Sequence, residues 1–448
     1  MKFDIDKQTI KDLELFPERG NDTCIYTYYN RTTTIGGQEM LYDSFNSPVS
    51  NIEFLQTRRD EINFFFTNGH YIKFKSSQID FIEHYLKSQR IPLKDNIIDA
   101  FYDGLSYKLN PAGDYYLISE GIKSIIQLLI NLESFVKGLN SLIVPSTLET
   151  DLDKIKKFTS TIFLKDIRDT KKLRFCQINK LDYLFRVQSK NSFRELLKTV
   201  YKIDVLQALS QIMKVEGFTL PNYSSFSQPV FEVEDAFHPL LSAPIPNSFL
   251  FSCDSNLCFV TGPNMSGKSI FLKTTGLLIY LAHLGFPVPA SKLNISLFDG
   301  LFTTLNLSDN LNLGYSHFYS EVKRVKDIAL KLNSRKKLFV IFDELFRGTN
   351  VKDAFDASLA IISALSKIRN NVFFISTHIL EVAENLDNKD SIMFKCFESN
   401  LVDQKPVYDF KIKNGISKER IGMLIIKNEN IVEILDEIVK MQRKELCQ

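Results

Sequence analysis

The sequence predicts a two-part chain: an all-α N-terminal half, then an α/β half built on a mostly parallel sheet with crossover helices. Three observations predict it. From Phe81 to Met213, apolar residues recur at three- and four-residue spacing with few breakers, as in IKSIIQLLINLESFVKGL and FRELLKTVYKIDVLQALSQIM. From Phe231 onward, short β-like runs (FLFSCDSNLCFVTG, KKLFVIFDE, NVFFISTH) alternate with helical stretches, the order that builds a parallel sheet. Between the two regimes lies GFTLPNYSSFSQP (217–229), rich in Pro, Ser, Gly and Asn, which serves as the boundary. The expected domains are residues 1–225 (helical), 226–430 (α/β) and 431–448 (a C-terminal helix).

Composition sets limits on function. A chain of 448 residues exceeds what one hydrophobic core usually supports, and 44% hydrophobic with 24% charged residues is ordinary for a folded globular protein. Lys and Arg total 55 against 53 acidic residues, so no global basic field exists and any nucleic-acid contact must come from a local patch. Six cysteines are scattered without a CxxC pair, which points to a reducing compartment. MKFDIDKQTIKDLELF lacks the pattern of a secretion signal, and the apolar run GLLIYLAHLGF is too short to span a bilayer. The expectation is a cytoplasmic protein with no membrane segment.

The chemistry concentrates in the second half. In VTGPNMSGKSIFLKTTG, Gly262, Gly267, Lys268 and Ser269 fit G-x-x-x-x-G-K-[ST]. Glycines let backbone N–H groups curl round phosphates, the lysine neutralises the outer phosphoryl oxygens, and the hydroxyl can bind Mg²⁺. The strand-like LCFVT precedes the loop and a breaker-poor helix follows it, so the helix dipole would face the phosphates. The whole loop, Gly262, Pro263, Asn264, Met265, Ser266, Gly267, Lys268 and Ser269, is therefore the expected ATP phosphate site. LFVIFDE places Asp343 and Glu344 at the carboxyl end of a buried strand, Asp343 to hold Mg²⁺ and Glu344 to orient and deprotonate an attacking water. NVFFISTH sets His378 at the same edge, within reach of the γ-phosphate or the water.

Two further segments carry expectations. In GYSHFYSEVKRVKDIALKL, Ser316 caps a helix on which Phe318, Val322, Val325, Ala329 and Leu332 share a face. Its hydroxyl serves either as an ordinary cap or as a γ-phosphate ligand for a nucleotide on a second subunit, as in ABC-type ATPases. A local basic stretch includes Lys156, Lys157, Arg168, Lys171, Lys172 and Arg174 and is a candidate for non-specific phosphate contact with DNA. Acidic neighbours make a solvated helical face an equal alternative.

Beyond spacing, these residues resemble the MutS DNA mismatch-repair ATPases. TGPNMSGKS is similar to that family's phosphate loop, with its Pro-Asn-Met interior, and the resemblance implies that Asn264 handles the nucleotide. AFHPLLSAPIPNSF resembles the entry to the family's ATPase domain, which implies Phe237 and His238 near the adenine. SDNLNLGYSHFYSEV, FDELFRGTN and STHILEVAENL are similar to the family's serine signature, its Asp-Glu box and its Thr-His switch. LELFPERGNDTCIYTYYNRTTTIGGQEM is similar to the opening of the helical core, and YKIDVLQALSQIM to the lever helix. Phe346 stands where the family carries glycine, and Glu39 where it carries arginine.

What the resemblance implies is an ABC-type ATPase domain preceded by an all-α core and lever with a reduced or missing clamp. The sequence begins directly at the core-like stretch, so no mismatch-reading or connector domain is expected. The implied function is binding and hydrolysis of ATP with Mg²⁺ at a composite dimer interface, in a homodimer or a heterodimer with a paralogue, acting on mismatched or branched double-stranded DNA. The other reading is an ABC-like switch that binds a protein partner and no DNA.

Overall fold

The structure is a computed structural model describing residues 3–18, 20, 22–89, 91–96, 98–102, 105, 114–161, 173–224, 229–251, 255–305, 317–333, 336–377, 379–386, 390–402, 405–417 and 430–445. It divides into two compact units, one of residues 1–28, 48–52 and 217–448, the other of residues 29–47 and 53–216. The first is α/β and the second helical.

The strands, in chain order, are β1 (Asp4–Ile5), β2 (Asn222–Ser224), β3 (Phe231–Ala236), β4 (Asn247–Phe251), β5 (Leu257–Thr261), β6 (Lys292–Ser296), β7 (Gly300–Thr304), β8 (Leu338–Phe342), β9 (Val372–Ser376), β10 (Ile392–Cys396), β11 (Ser399–Val402), β12 (Lys405–Tyr408) and β13 (Lys413–Asn414). Seven form the main sheet in the order β1-β7-β8-β9-β5-β10-β13, parallel throughout except for β13. Every residue of β5, β7, β8 and β9 is buried, as continuous apolar runs in a sheet covered on both faces must be. Because the strands are parallel, their carboxyl ends share one edge. There Val260 lies opposite Ser376, Phe342 opposite Ile375, and Cys396 opposite Thr261.

Two expectations need correction here. Residues 3–28, read as the start of the helical half, belong to the α/β unit: Asp4 and Ile5 pair in parallel with Gly300 and Leu301. Polar contacts fix them there. Asp12, itself buried, accepts from the Thr303 hydroxyl at 2.7 Å and the Leu305 N–H at 2.9 Å, and the Thr9 hydroxyl accepts from the Thr303 N–H at 2.9 Å. Asp6 caps the Lys7–Asp12 helix through the Thr9 N–H and also binds Arg324. Secondly, FLFSCDSNLCFVTG holds two strands of different sheets, because β4 pairs antiparallel with β3 in a separate four-stranded sheet, β2-β6-β3-β4. The boundary stretch 217–229 supplies β2 to that sheet.

The Lys268–Leu284 helix is apolar around most of its circumference and almost wholly buried, and it ends at Gly285 in the left-handed conformation, φ 69°. At Gly276 a Cβ would come 2.9 Å from Leu13 Cδ2, so glycine lets the N-terminal segment approach. On the His317–Leu332 helix the buried face runs through Glu321, Val325 and Ile328, and Val322 and Ala329 are exposed. Both stripes have three- and four-residue spacing, and the one anchored by Ile328 faces the core.

In the helical unit, the Asp114–Gly138 and Lys190–Glu216 helices carry the two apolar periodicities read from the sequence. Asp204 on the latter accepts from the Thr33 and Thr34 N–H groups and the Thr34 hydroxyl, and Thr34 in turn caps the Ile35–Phe45 helix through the Gly37 N–H at 2.9 Å. Lys202 bridges Glu61 at 2.6 Å and Asp151 at 2.9 Å. No described helix is long and apolar enough to cross a membrane.

Candidate functional site

The site is built at the carboxyl edge of the main sheet. β5 ends at Thr261, and the chain turns through 262–267 into the Lys268–Leu284 helix. The turn needs unusual backbone angles: φ is 142° at Gly262, 67° at Met265 and 104° at Gly267. At Gly262 a Cβ would lie 2.8 Å from the Phe397 carbonyl oxygen, so no larger residue fits without displacing backbone. Asn264 and Met265 form the exposed crest of the loop, with Met265 79% exposed, and Pro263 and Ser266 are buried beneath it.

Lys268 is buried, and its Nζ donates to the carbonyls of Gly262 at 2.7 Å and Pro263 at 2.9 Å. Burial lowers its pKa, against the opposing pull of Asp343 and Glu344. Asp343 follows β8, and burial raises its carboxyl above the usual range, although Ser269 and Ser376 both hydrogen-bond to it. The strand-end carboxylate and the loop hydroxyl expected to share a metal are thus in direct contact. Among the described residues no group of three or more His, Cys, Asp and Glu could hold a metal. A magnesium ion at Ser269 and Asp343 would need further oxygens, which phosphates supply.

Glu344 has φ 55°, its N–H donates to the Ser376 hydroxyl at 3.0 Å, and its carboxylate meets Arg347 at 3.1 Å. Phe346, where a glycine was the customary residue, keeps a left-handed φ of 62°. That conformation costs a non-glycine residue about 1 kcal/mol or more. The ring compensates by burial, edge-on to Phe318 at 5.7 Å, within the main core cluster. Gly348 donates to Glu321 at 3.4 Å, which ties this turn to the His317–Leu332 helix.

Beside the loop lies an apolar cavity of about 230 Å³, lined among others by Phe237, His238, Ile270, Phe397 and Phe410. His238 is buried, its Nε2 has no hydrogen-bond partner among the described residues, and burial, reinforced by Lys273, lowers its pKa to about 4. It is a neutral imidazole facing an apolar space. Phe410 had no signal in the sequence. Asn247 holds its segment in place, donating to the Phe410 carbonyl at 2.9 Å and accepting from the Ile412 N–H at 2.8 Å.

Ser316, His378, Arg168, Lys171 and Lys172 lie outside the described residues. Lys156 sits on the Ser146–Thr161 helix, paired with Asp153 at 3.0 Å, with Lys157 beside it, and Arg174 is exposed at the start of the Phe175–Tyr183 helix. All three belong to the helical unit.

A parallel strand, a glycine loop and a helix N-terminus, with β8, one strand beyond β9, delivering an acid to the loop hydroxyl, make the α/β unit a P-loop fold. Comparison with known proteins narrows the class: residues 258–447 match the family model for MutS domain V. The DNA mismatch repair protein MutS of Lactococcus lactis subsp. cremoris is 30% identical over 264 residues, 57% of this chain and 30% of that protein. MutS of Bacillus licheniformis is 29% identical over 274 residues, and DNA mismatch repair protein msh3 of Aspergillus oryzae 26% over 271. Residues 258–447 are thus similar to a domain of MutS proteins, and the aligned stretch covers less than a third of each of these relatives.

Proposed function

We propose that this protein binds and hydrolyses ATP with Mg²⁺ and couples that cycle to binding double-stranded DNA, mismatched or branched, in repair or recombination. The observation that carries the reading is the meeting at one loop of buried Lys268, held only by loop carbonyls, and half-buried Asp343, in contact with the Ser269 hydroxyl, both shifted toward their neutral forms. Such groups gain most from a ligand that brings opposite charge to each. Phosphates would replace the loop carbonyls as partners of Lys268, and the buried Ser266 hydroxyl, which has no hydrogen-bond partner among the described residues, is one more donor within the loop.

In this reading Ser269 and Asp343 hold the magnesium ion, which would draw charge from the transferring phosphoryl group. Glu344 orients and deprotonates the water, released from Arg347 as it does so. Asn264 at the crest and His378 beyond β9 contact the nucleotide or the water. The neighbouring cavity takes the adenine, with Phe237 and Phe410 as apolar surfaces and neutral His238 as a hydrogen-bonding group. Ser316 completes the site of a second subunit, either another copy or a paralogue, and the basic helical residues Lys156, Lys157, Arg168, Lys171, Lys172 and Arg174 contact DNA.

The test is nucleotide binding and turnover, with and without homoduplex, single-mismatch and four-way-junction DNA. Lys268→Ala should abolish ATP binding. Glu344→Gln should retain ATP and lose roughly a hundredfold or more in turnover. Wild-type rates in the glutamine variant would remove Glu344 from its role, and turnover indifferent to all three DNAs would end the DNA-coupled reading.

A further inference from the structure

We propose that a second anion site exists in the helical unit: a pocket lined by Arg186, Lys190 and Arg194 that binds a phosphate group. The pocket, of about 230 Å³, also presents Ser88, Gln89 and Pro92, and no acidic side chain lines it. At roughly 30 Å³ per water, it has room for a phosphate and part of its hydration shell.

Arg186 is the fixed member. It is buried, its Nη2 donates to the Ser88 carbonyl at 3.2 Å, and its guanidinium carbon lies 5.6 Å from the Tyr85 ring centroid. Its nearest acid is Asp182 at 3.6 Å, a long pair. That carboxylate is shared with the Tyr85 hydroxyl and with the Leu93 N–H at 2.7 Å, so its charge is spread over several donors. Lys190 and Arg194 follow at successive turns, exposed and without an acidic partner among the described residues. Lys198, one turn further on, is instead bound to Glu195 at 2.8 Å.

The backbone supports the arrangement. Residues Leu184–Gln188 form a widened π-helical turn, closed by the Ser189 N–H on the Leu184 carbonyl at 2.8 Å, directly before Lys190. Such turns change the helical register, and here all three cations line one pocket. A buried guanidinium with two exposed cations around a polar hollow suits a phosphate oxyanion, whether free or in a nucleic-acid backbone.

The duplex arm of the test rests on the DNA-binding reading above, and the phosphate arm does not. Three full-length proteins are compared: wild type, the double variant Lys190→Ala/Arg194→Ala, and the control Lys198→Ala. Calorimetric titration with inorganic phosphate should show saturable binding that the double variant loses and the control keeps. Anisotropy with a labelled duplex across salt concentrations should show the double variant about tenfold weaker at low salt. Its log–log salt slope should be shallower by about 2, since each DNA phosphate that a cation no longer neutralises removes about 0.9. Equal losses in Lys198→Ala, or none in the double variant, would overturn the pocket. Phosphate binding lost only in the double variant, with no duplex binding even by wild type, would keep the pocket as a free-anion site and end the DNA reading.

Discussion

The two units bury charge in opposite ways. In the helical unit, Lys202 bridges Glu61 and Asp151. Burial works against the charges of Lys202 and Asp151, yet the mutual bonds win, leaving Lys202 raised and Asp151 lowered, both toward their charged forms. At the loop of the α/β unit burial wins instead, leaving Lys268 lowered and Asp343 raised. The difference separates charges that hold a fold together from charges kept for something that arrives later.

Substitution breaks or sharpens this contrast. The largest effect belongs to the satisfied network: Lys202→Ala should cost about 2–4 kcal/mol in urea unfolding, because Glu61 and Asp151 would be left facing each other without their bridge. Lys268→Met, by comparison, should leave ligand-free stability unchanged or higher. Equal losses in the two would erase the distinction.

Acid should separate the units next. His238 and His283 both lie in the α/β unit with pKa values lowered to about 4, chiefly by burial. His283 donates from Nδ1 to the Ile279 carbonyl at 2.7 Å and accepts at Nε2 from the Phe298 N–H at 2.9 Å, a tautomer that protonation destroys. Since both values lie below the unfolded 6.5, the stability they supply is complete above pH 6.5 and falls away toward about pH 4. On the order of 1–2 kcal/mol each should be lost by pH 5. Asp151, lowered below 3.8, loses its contribution only in more acid solution. Near-ultraviolet and exchange probes at pH 5 should therefore show the α/β unit opening first, and simultaneous opening would contradict the assignment.

The smallest effect concerns Asp343. A carboxylate whose folded pKa is raised contributes stability below its unfolded value and loses it as pH rises through the folded one, so at neutral pH it is a net cost. Asp343→Asn should stabilise the ligand-free protein by about 1 kcal/mol and remove the extra thermal protection given by Mg²⁺ with ATP. Undiminished protection would place the metal elsewhere.

What sequence could reveal followed from locality. The phosphate loop, the apolar strand with Asp343 and Glu344 at its end, and the two long helical periodicities are each legible within about twenty residues. Phe410 was not, because only the fold brings it beside a loop so far upstream. The two-residue β1 is too short for any alternation to register, and its partner is β7. Choosing between the stripes through Val322 and Ala329 or through Glu321 and Ile328 needed the core itself, since both satisfy helical spacing. The glycine missing at Phe346 was visible as a departure, but the left-handed turn that persists there was not.

The attachment of the first residues to β7 has a consequence in time. Thr9 and Thr303 meet across 294 positions, and a ribosome adding about 5–20 residues per second separates their emergence by roughly 15–60 s. Residues 29–47 and 53–216, which complete the helical unit, leave the ribosome within that interval. The inserted unit can therefore fold first, while the leading strand stays without its neighbour until the sheet it borders has been made.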